Sequence, residues 1–171
     1  MKKIILIMLC LILTMTGTAS AEPETESPDP NVPVIEEYNF RQTQKEIRDL
    51  LGNPDDEPDK KLKNIHTDEF FDMEYLGVSG HLSFTYIDDK LHRITWYSPD
   101  ITEEECNHIV EIASAYYDEK YGTDPEVKQS AVGGILDIYQ WTDSFNNWIF
   151  SVELYRDHDQ PRIVISKAKE E

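Results

Sequence analysis

The stretch Glu103-Glu104-Glu105-Cys106-Asn107-His108 brings three acids, a thiol and an imidazole together within six residues. Such groups perform nucleophilic or metal chemistry when they converge on one point. Here the spacing opposes convergence. Thr102 and Glu105 have the spacing of a capping box, in which side chain and backbone satisfy each other's free N–H groups at a helix start. Glu103, Glu104 and Glu105 then fill a first turn, where carboxylates suit the positive end of the helix dipole. Cys106 and His108 lie two apart, a spacing at which helical side chains do not face each other. Cys106 instead continues an apolar stripe through Ile109, Val110, Ala113 and Tyr117, so a buried, unreactive thiol is expected. His108 falls on the outward side.

Other reactive groupings are equally sparse. Gly77-Val78-Ser79-Gly80 lacks the G-x-S-x-G spacing of a nucleophile elbow and reads as a turn between two strands. Gly133-Gly134 has no following Lys-Ser/Thr to bind phosphate. The five histidines, at 66, 81, 92, 108 and 158, show no H-E-x-x-H. A hairpin could bring His81 to His92, but without the third and fourth ligands that zinc needs. Asn53-Pro54-Asp55-Asp56-Glu57-Pro58-Asp59 is rich in oxygen ligands yet lacks the mid-loop glycine of a calcium loop. With 34 acids in the chain, carboxylate pairs carry no information about glycosidase chemistry. No catalytic residue, no metal ligand set and no cofactor is expected.

The elements that position these residues form one pattern used twice. Thr43…Glu46 opens a helix with Ile47, Leu50 and Leu51 at helical spacing. Gly52 stops it and Asn53-Pro54 prevents its resumption. Thr102…Glu105 opens a second helix, ended by Gly122 with Pro125 beyond. Each helix precedes strand-like segments: 70–78, 82–87 and 91–97 in the first half, and 136–142, 148–155 and 162–168 in the second. Asp88-Asp89-Lys90, 143–147 and 157–160 make the turns. The expected fold class is α+β, two tandem α-β-β-β units of about 37–100 and 101–171, with the helices on one face of an antiparallel sheet.

The N-terminal segment and the composition both point outward from the cell. Lys2 and Lys3 precede an apolar run from Ile4 to Leu13, and Ala19-Ser20-Ala21 is a small-x-small cleavage pattern. Residues 1–21 are expected to be a bacterial signal peptide, since about 20 apolar residues are needed to span a bilayer. Cys10 lies inside the apolar run behind Leu9 and does not read as a lipidation site. Cleavage leaves Cys106 as the sole cysteine, so no intramolecular disulfide forms. Residues 22–36, EPETESPDPNVPVIE, combine four prolines with many acids and read as a disordered spacer. The formal charge of −18 becomes −20 once Lys2 and Lys3 are removed. Such a chain is repelled by phosphate backbones and anionic lipid, which excludes nucleic-acid binding and membrane insertion after cleavage. The charge suits a soluble extracellular protein, a basic protein partner or weak binding of divalent cations, and by itself does not choose among them.

Thr43…Glu46…Leu50-Leu51-Gly52-Asn53-Pro54, followed by Leu82-Ser83-Phe84-Thr85-Tyr86-Ile87-Asp88-Asp89-Lys90-Leu91, resembles the pattern of the small lipoproteins of the outer-membrane β-barrel assembly machinery. It is similar also to the related secreted β-lactamase inhibitor proteins, which carry the unit in tandem. The resemblance implies a non-enzymatic, protein-binding scaffold whose sheet presents a concave face.

Strand aromatics supply candidate contacts. Trp96, Tyr97, Trp141 and Tyr155 are the expected partner-binding residues, because one sheet face must pack on the helices and the other is free to present Trp and Tyr. The expectation is a secreted or cell-envelope, non-enzymatic protein-binding module. Its alternatives are a secreted cell-envelope enzyme and an acidic, cation-responsive surface protein.

Overall fold

The computed structural model describes residues 29–58, 64–130, 135–157 and 160–170. The leader at 1–21 lies outside them, as do the turn residues 158 and 159. Both capping boxes form. Thr43 caps α1 (Gln44–Leu51), accepting from the Glu46 N–H while Glu46 accepts from the Thr43 N–H at 2.8 Å. Thr102 caps α2 (Glu103–Tyr121) in the same way, with Glu105 returning at 2.9 Å. Gly52 ends α1 at φ +91° and ψ −161°, backbone that only glycine adopts without strain.

Seven strands follow: β1 (Ile65–Tyr75), β2 (Val78–Ile87), β3 (Lys90–Ser98), β4 (Glu126–Ser130), β5 (Ile135–Asp143), β6 (Trp148–Asp157) and β7 (Gln160–Lys169). Their spatial order is β1-β2-β3-β7-β6-β5-β4, all antiparallel. Each half is a meander, and β3 pairing with β7 fuses the two into one sheet. The α+β architecture, with both helices against an antiparallel sheet, is therefore as the periodicity predicts. The second half has one strand more than expected. β4 reads Glu-Val-Lys-Gln-Ser, whose one apolar residue, Val127, is 56% exposed. An edge strand with nothing to bury leaves no alternation to read.

The first hairpin also differs. The expected strand at 70–78 is two strands, because the chain turns at Leu76-Gly77, both at positive φ. Val78-Ser79-Gly80 is therefore the start of β2 and not the turn. The hairpin at Asp88-Asp89 forms as expected, with φ of +49° and +61° matching the sheet's twist. It sets a register of His81 against Tyr97 and Thr85 against Arg93, which keeps His81 and His92 apart. The acidic loop after α1 covers the β1 edge: Asp55 and Asp56 bond to the Glu69 backbone, and the Asp55 carboxylate accepts from the Phe71 N–H at 2.8 Å. An otherwise unpaired edge is thereby closed.

The core lies on one side of the sheet. Leu82, Phe84, Ile94, Phe150, Val152, Ile163 and Ile165 are fully buried there, beneath Ile47 of α1 and Cys106, Ile109, Ala113 and Tyr117 of α2. Leu50, placed on the α1 stripe by its spacing, is 67% exposed instead; an eight-residue helix covers only the end of the sheet with Ile47. The middle is covered from the N-terminal side. A single-turn 3-10 helix, Val34–Glu37, sits over β3 and β7, and Val34, Ile35 and Tyr38 join the core. The packed fold thus reaches into the expected spacer at 22–36. Val34 and Ile35 supply the apolar area that its acidic, proline-rich remainder lacks.

Candidate functional site

The four strand aromatics divide between the two faces. Trp96 and Trp141 are 0% and 2% exposed and belong to the core. The Trp96 Nε1–H donates to the Met73 carbonyl at 2.8 Å, its ring lying directly over Gly80. The Trp141 Nε1–H donates to Asp118 of α2, also at 2.8 Å. Both indoles therefore tie elements together and offer nothing to a partner, which corrects their assignment as contact residues. Tyr97 and Tyr155 point the other way, as alternation requires of the neighbour of Trp96. Tyr97 is half-buried and Tyr155 is exposed.

Among the described residues no helix covers this second face. A groove of about 700 Å³ runs over it, lined across the sheet from β1 to β5 by Ile65, Ile87, Ile138, Ile149, Val164 and Ala168 together with hydroxyls. The isoleucines and Val164 are half-buried. A row of polar groups crosses between them: Thr95 of β3 opposes Ser166 of β7, which opposes Ser151 of β6, which opposes Gln140 of β5. Ser151 and Ser166 share a hydrogen bond of 2.8 Å.

Polar atoms on this face mostly engage one another. The Tyr155 hydroxyl donates to Glu153 at 2.7 Å, and the Ser151 hydroxyl donates to its other oxygen at 3.1 Å. Burial and that bond push the Tyr155 phenol up to about 12. The Tyr97 hydroxyl lies 3.0 Å from His81 Nδ1, and the Phe71 ring packs against that imidazole at a tilt, 4.5 Å between centroids. Burial, then Glu69 and Asp56, raise the Tyr97 phenol. Tyrosine side chains held in place and only partly covered lose little entropy on contact with a partner.

Two polar clusters on the helix side escaped sequence reasoning. Asp68 of β1 is fully buried and receives Arg48 Nε at 2.8 Å, Gln44 Nε2 at 3.2 Å and His66 Nε2 at 2.7 Å. Burial pushes its carboxyl up, but the bonds from Arg48, Gln44 and His66 outweigh this and hold it below the usual carboxylate value. The arrangement binds α1 to the sheet. The second cluster centres on Glu36, which meets Lys120 Nζ at 2.5 Å, the Tyr117 hydroxyl at 3.3 Å and Lys167 Nζ at 3.5 Å. Lys167, 3% exposed, also donates to the Tyr38 carbonyl at 3.1 Å. Burial lowers its pKa, with Glu36 opposing. Lys167 stands at core parity behind Ile163 and Ile165, and that misplaced charge was a legible sign of a buried counter-ion.

Cys106 lies buried beneath α2, its thiol pushed up to about 11 by burial first and by Glu105. Among the described residues no three His, Cys, Asp or Glu side chains group as a metal site. Nor is any described helix long and apolar enough to cross a membrane. No family model, curated protein or solved structure matches the chain.

Proposed function

We propose that this chain is an exported, non-enzymatic protein-binding module that receives a protein partner on its uncovered sheet face. One observation carries the proposal: a seven-stranded sheet packed on one side leaves on the other a broad groove of half-buried isoleucines bordered by Tyr155, with Tyr97 on the same face outside the groove. The lining mixes aliphatic side chains with hydroxyls, and protein interfaces outside obligate assemblies are mixed in the same way. The face bears aliphatics, hydroxyls bonded to one another and partly covered phenols, a lining suited to complementary contact. Export rests on the leader at 1–21, and the acidic chain keeps the module from anionic lipid and nucleic acid.

The test is site-specific photo-crosslinking in the native cell. A photoreactive side chain at Val164, in the middle of the face, is expected to trap a partner; the same group at Glu111, on the outer side of α2, is not. Replacing Tyr97 and Tyr155 by alanine is expected to weaken the trapped complex about tenfold or more, the range of interface aromatics, with the melting temperature unchanged. Equal trapping at both positions, or affinity indifferent to both tyrosines, overturns the proposal.

A further inference from the structure

The groove does not share the acidic charge balance of the chain. The sequence carries 34 acids against 16 lysines and arginines. The charged groups of the groove are one carboxylate, Glu153, and one guanidinium, Arg93; Lys169 borders it, but its ammonium lies over the Phe40 ring at 5.3 Å, on the face that it shares with Lys167. Glu153 is already committed, one oxygen to Tyr155 and the other to Ser151. Arg93 is not. It is exposed, it sits between Thr85 of β2 and Ala168 of β7, and neither neighbour bears a charge. Among the described residues no carboxylate is ion-paired with it, whereas Arg48, Lys120, Arg156 and Lys167 all have one.

An unpaired guanidinium in the middle of a half-apolar surface is the group that a partner's carboxylate would complete. Arginine is favoured at such positions because its planar donors take a carboxylate in two parallel bonds. A basic partner would find on this groove a single carboxylate, Glu153, which already accepts a hydrogen bond on each oxygen. Resting on the proposed use of this face, we infer that the partner docks with an acidic, aliphatic-rich protein surface whose carboxylate pairs with Arg93. Net charge is compatible with the reverse, a basic partner. But net charge acts over distances that physiological salt screens beyond about 8 Å, while the groove decides what fits in contact. The two act at different stages. Long-range repulsion slows the approach of an acidic partner, so added salt is expected to raise its association rate.

The charge assignment can be read with two peptides, one alternating glutamate and leucine and its lysine–leucine counterpart. Each is titrated into the isotope-labelled mature protein and followed by amide chemical shifts. The acidic peptide is expected to move the signals of Arg93, Ala168, Ile149 and Val164, and Arg93→Glu to abolish those shifts. The equally exposed, off-groove Lys45→Glu should leave them unchanged. Equal perturbation of the groove by the lysine peptide, no groove response to the acidic one, or a response that survives Arg93→Glu overturns the inference. The partner trapped at Val164 separates the two proposals. If it binds Arg93→Glu within twofold of wild type but depends on Tyr155, the charge assignment is wrong and the face stands. If Arg93→Glu weakens it about tenfold or more while Lys45→Glu does not, the acidic partner is supported.

Discussion

Cys106 is a useful residue to start from, because its chemistry was decided by the turn of helix on which it stands. The thiol is fully buried and its pKa is raised to about 11, so at pH 8 it is almost wholly protonated and covered. Labelling by a thiol reagent is expected to be at least a hundredfold slower in the native protein than in denaturant; equal rates would show an accessible thiol. Lys167 poses the opposite problem, a charge where apolar packing is the rule. Glu36→Gln strands Lys167 without its anion and is expected to cost about 3–5 kcal/mol. Lys167→Met leaves Glu36 paired with Lys120 and should cost about 1 kcal/mol or less. Urea unfolding of both variants checks the ordering, which an exposed Lys167 would reverse. Asp68 ties stability to pH. Its folded pKa lies below the unfolded value, so its contribution is fully present above that value and is lost as pH falls through the folded one. Acid titration below pH 3.8 is expected to destabilise wild type more steeply than Asp68→Asn, which already lacks the ionised carboxylate. At pH 7 the same substitution costs about 2–3 kcal/mol, moderated by the partial exposure of Arg48.

At the level of elements, the two capping boxes and the β2–β3 contact are the most exacting features. Thr102→Ala removes a side-chain acceptor from the start of α2 and is expected to lower stability by about 1 kcal/mol in denaturant titration. Gly80 permits the Trp96 ring to cross β2 and reach the Met73 carbonyl. A Cβ at residue 80 would stand 2.6 Å from the ring, so Gly80→Ala must displace the indole and break its bond. A loss of about 3 kcal/mol or more follows, from overpacking together with an orphaned buried N–H. A stability change below about 1 kcal/mol would mean that the indole has room to move. Both helix starts were legible because capping is local, needing only residues three apart. β4 was not, because Glu126–Ser130 becomes a strand through hydrogen bonds to β5 and buries nothing of its own.

One meander from each half meets at β3 and β7, and the single sheet that results has a side packed against both helices and a side that no helix covers among the described residues. A short N-terminal helix, carried by Val34, Ile35 and Glu36, covers the middle that α1 and α2 leave open. The proposed binding face exists only at this scale, since its residues come from six strands. Its predicted use is tested by Tyr97→Ala and Tyr155→Ala, surface changes that should alter binding and leave the melting temperature alone. The sequence by itself determined the α+β class, both helix boundaries, most strands and the burial of Cys106, because each follows from periodicity and capping between near neighbours. Tertiary structure alone decided which of two adjacent aromatics faced outward. Trp96 and Tyr97 are equally plausible contacts in sequence, and alternation says only that they differ. Packing buried the indoles, whose single N–H each found a partner at Met73 or Asp118. The same pairing of distant strands gathered Arg93 and Glu153 into one groove, where the charge of 171 residues no longer describes the surface that a partner meets.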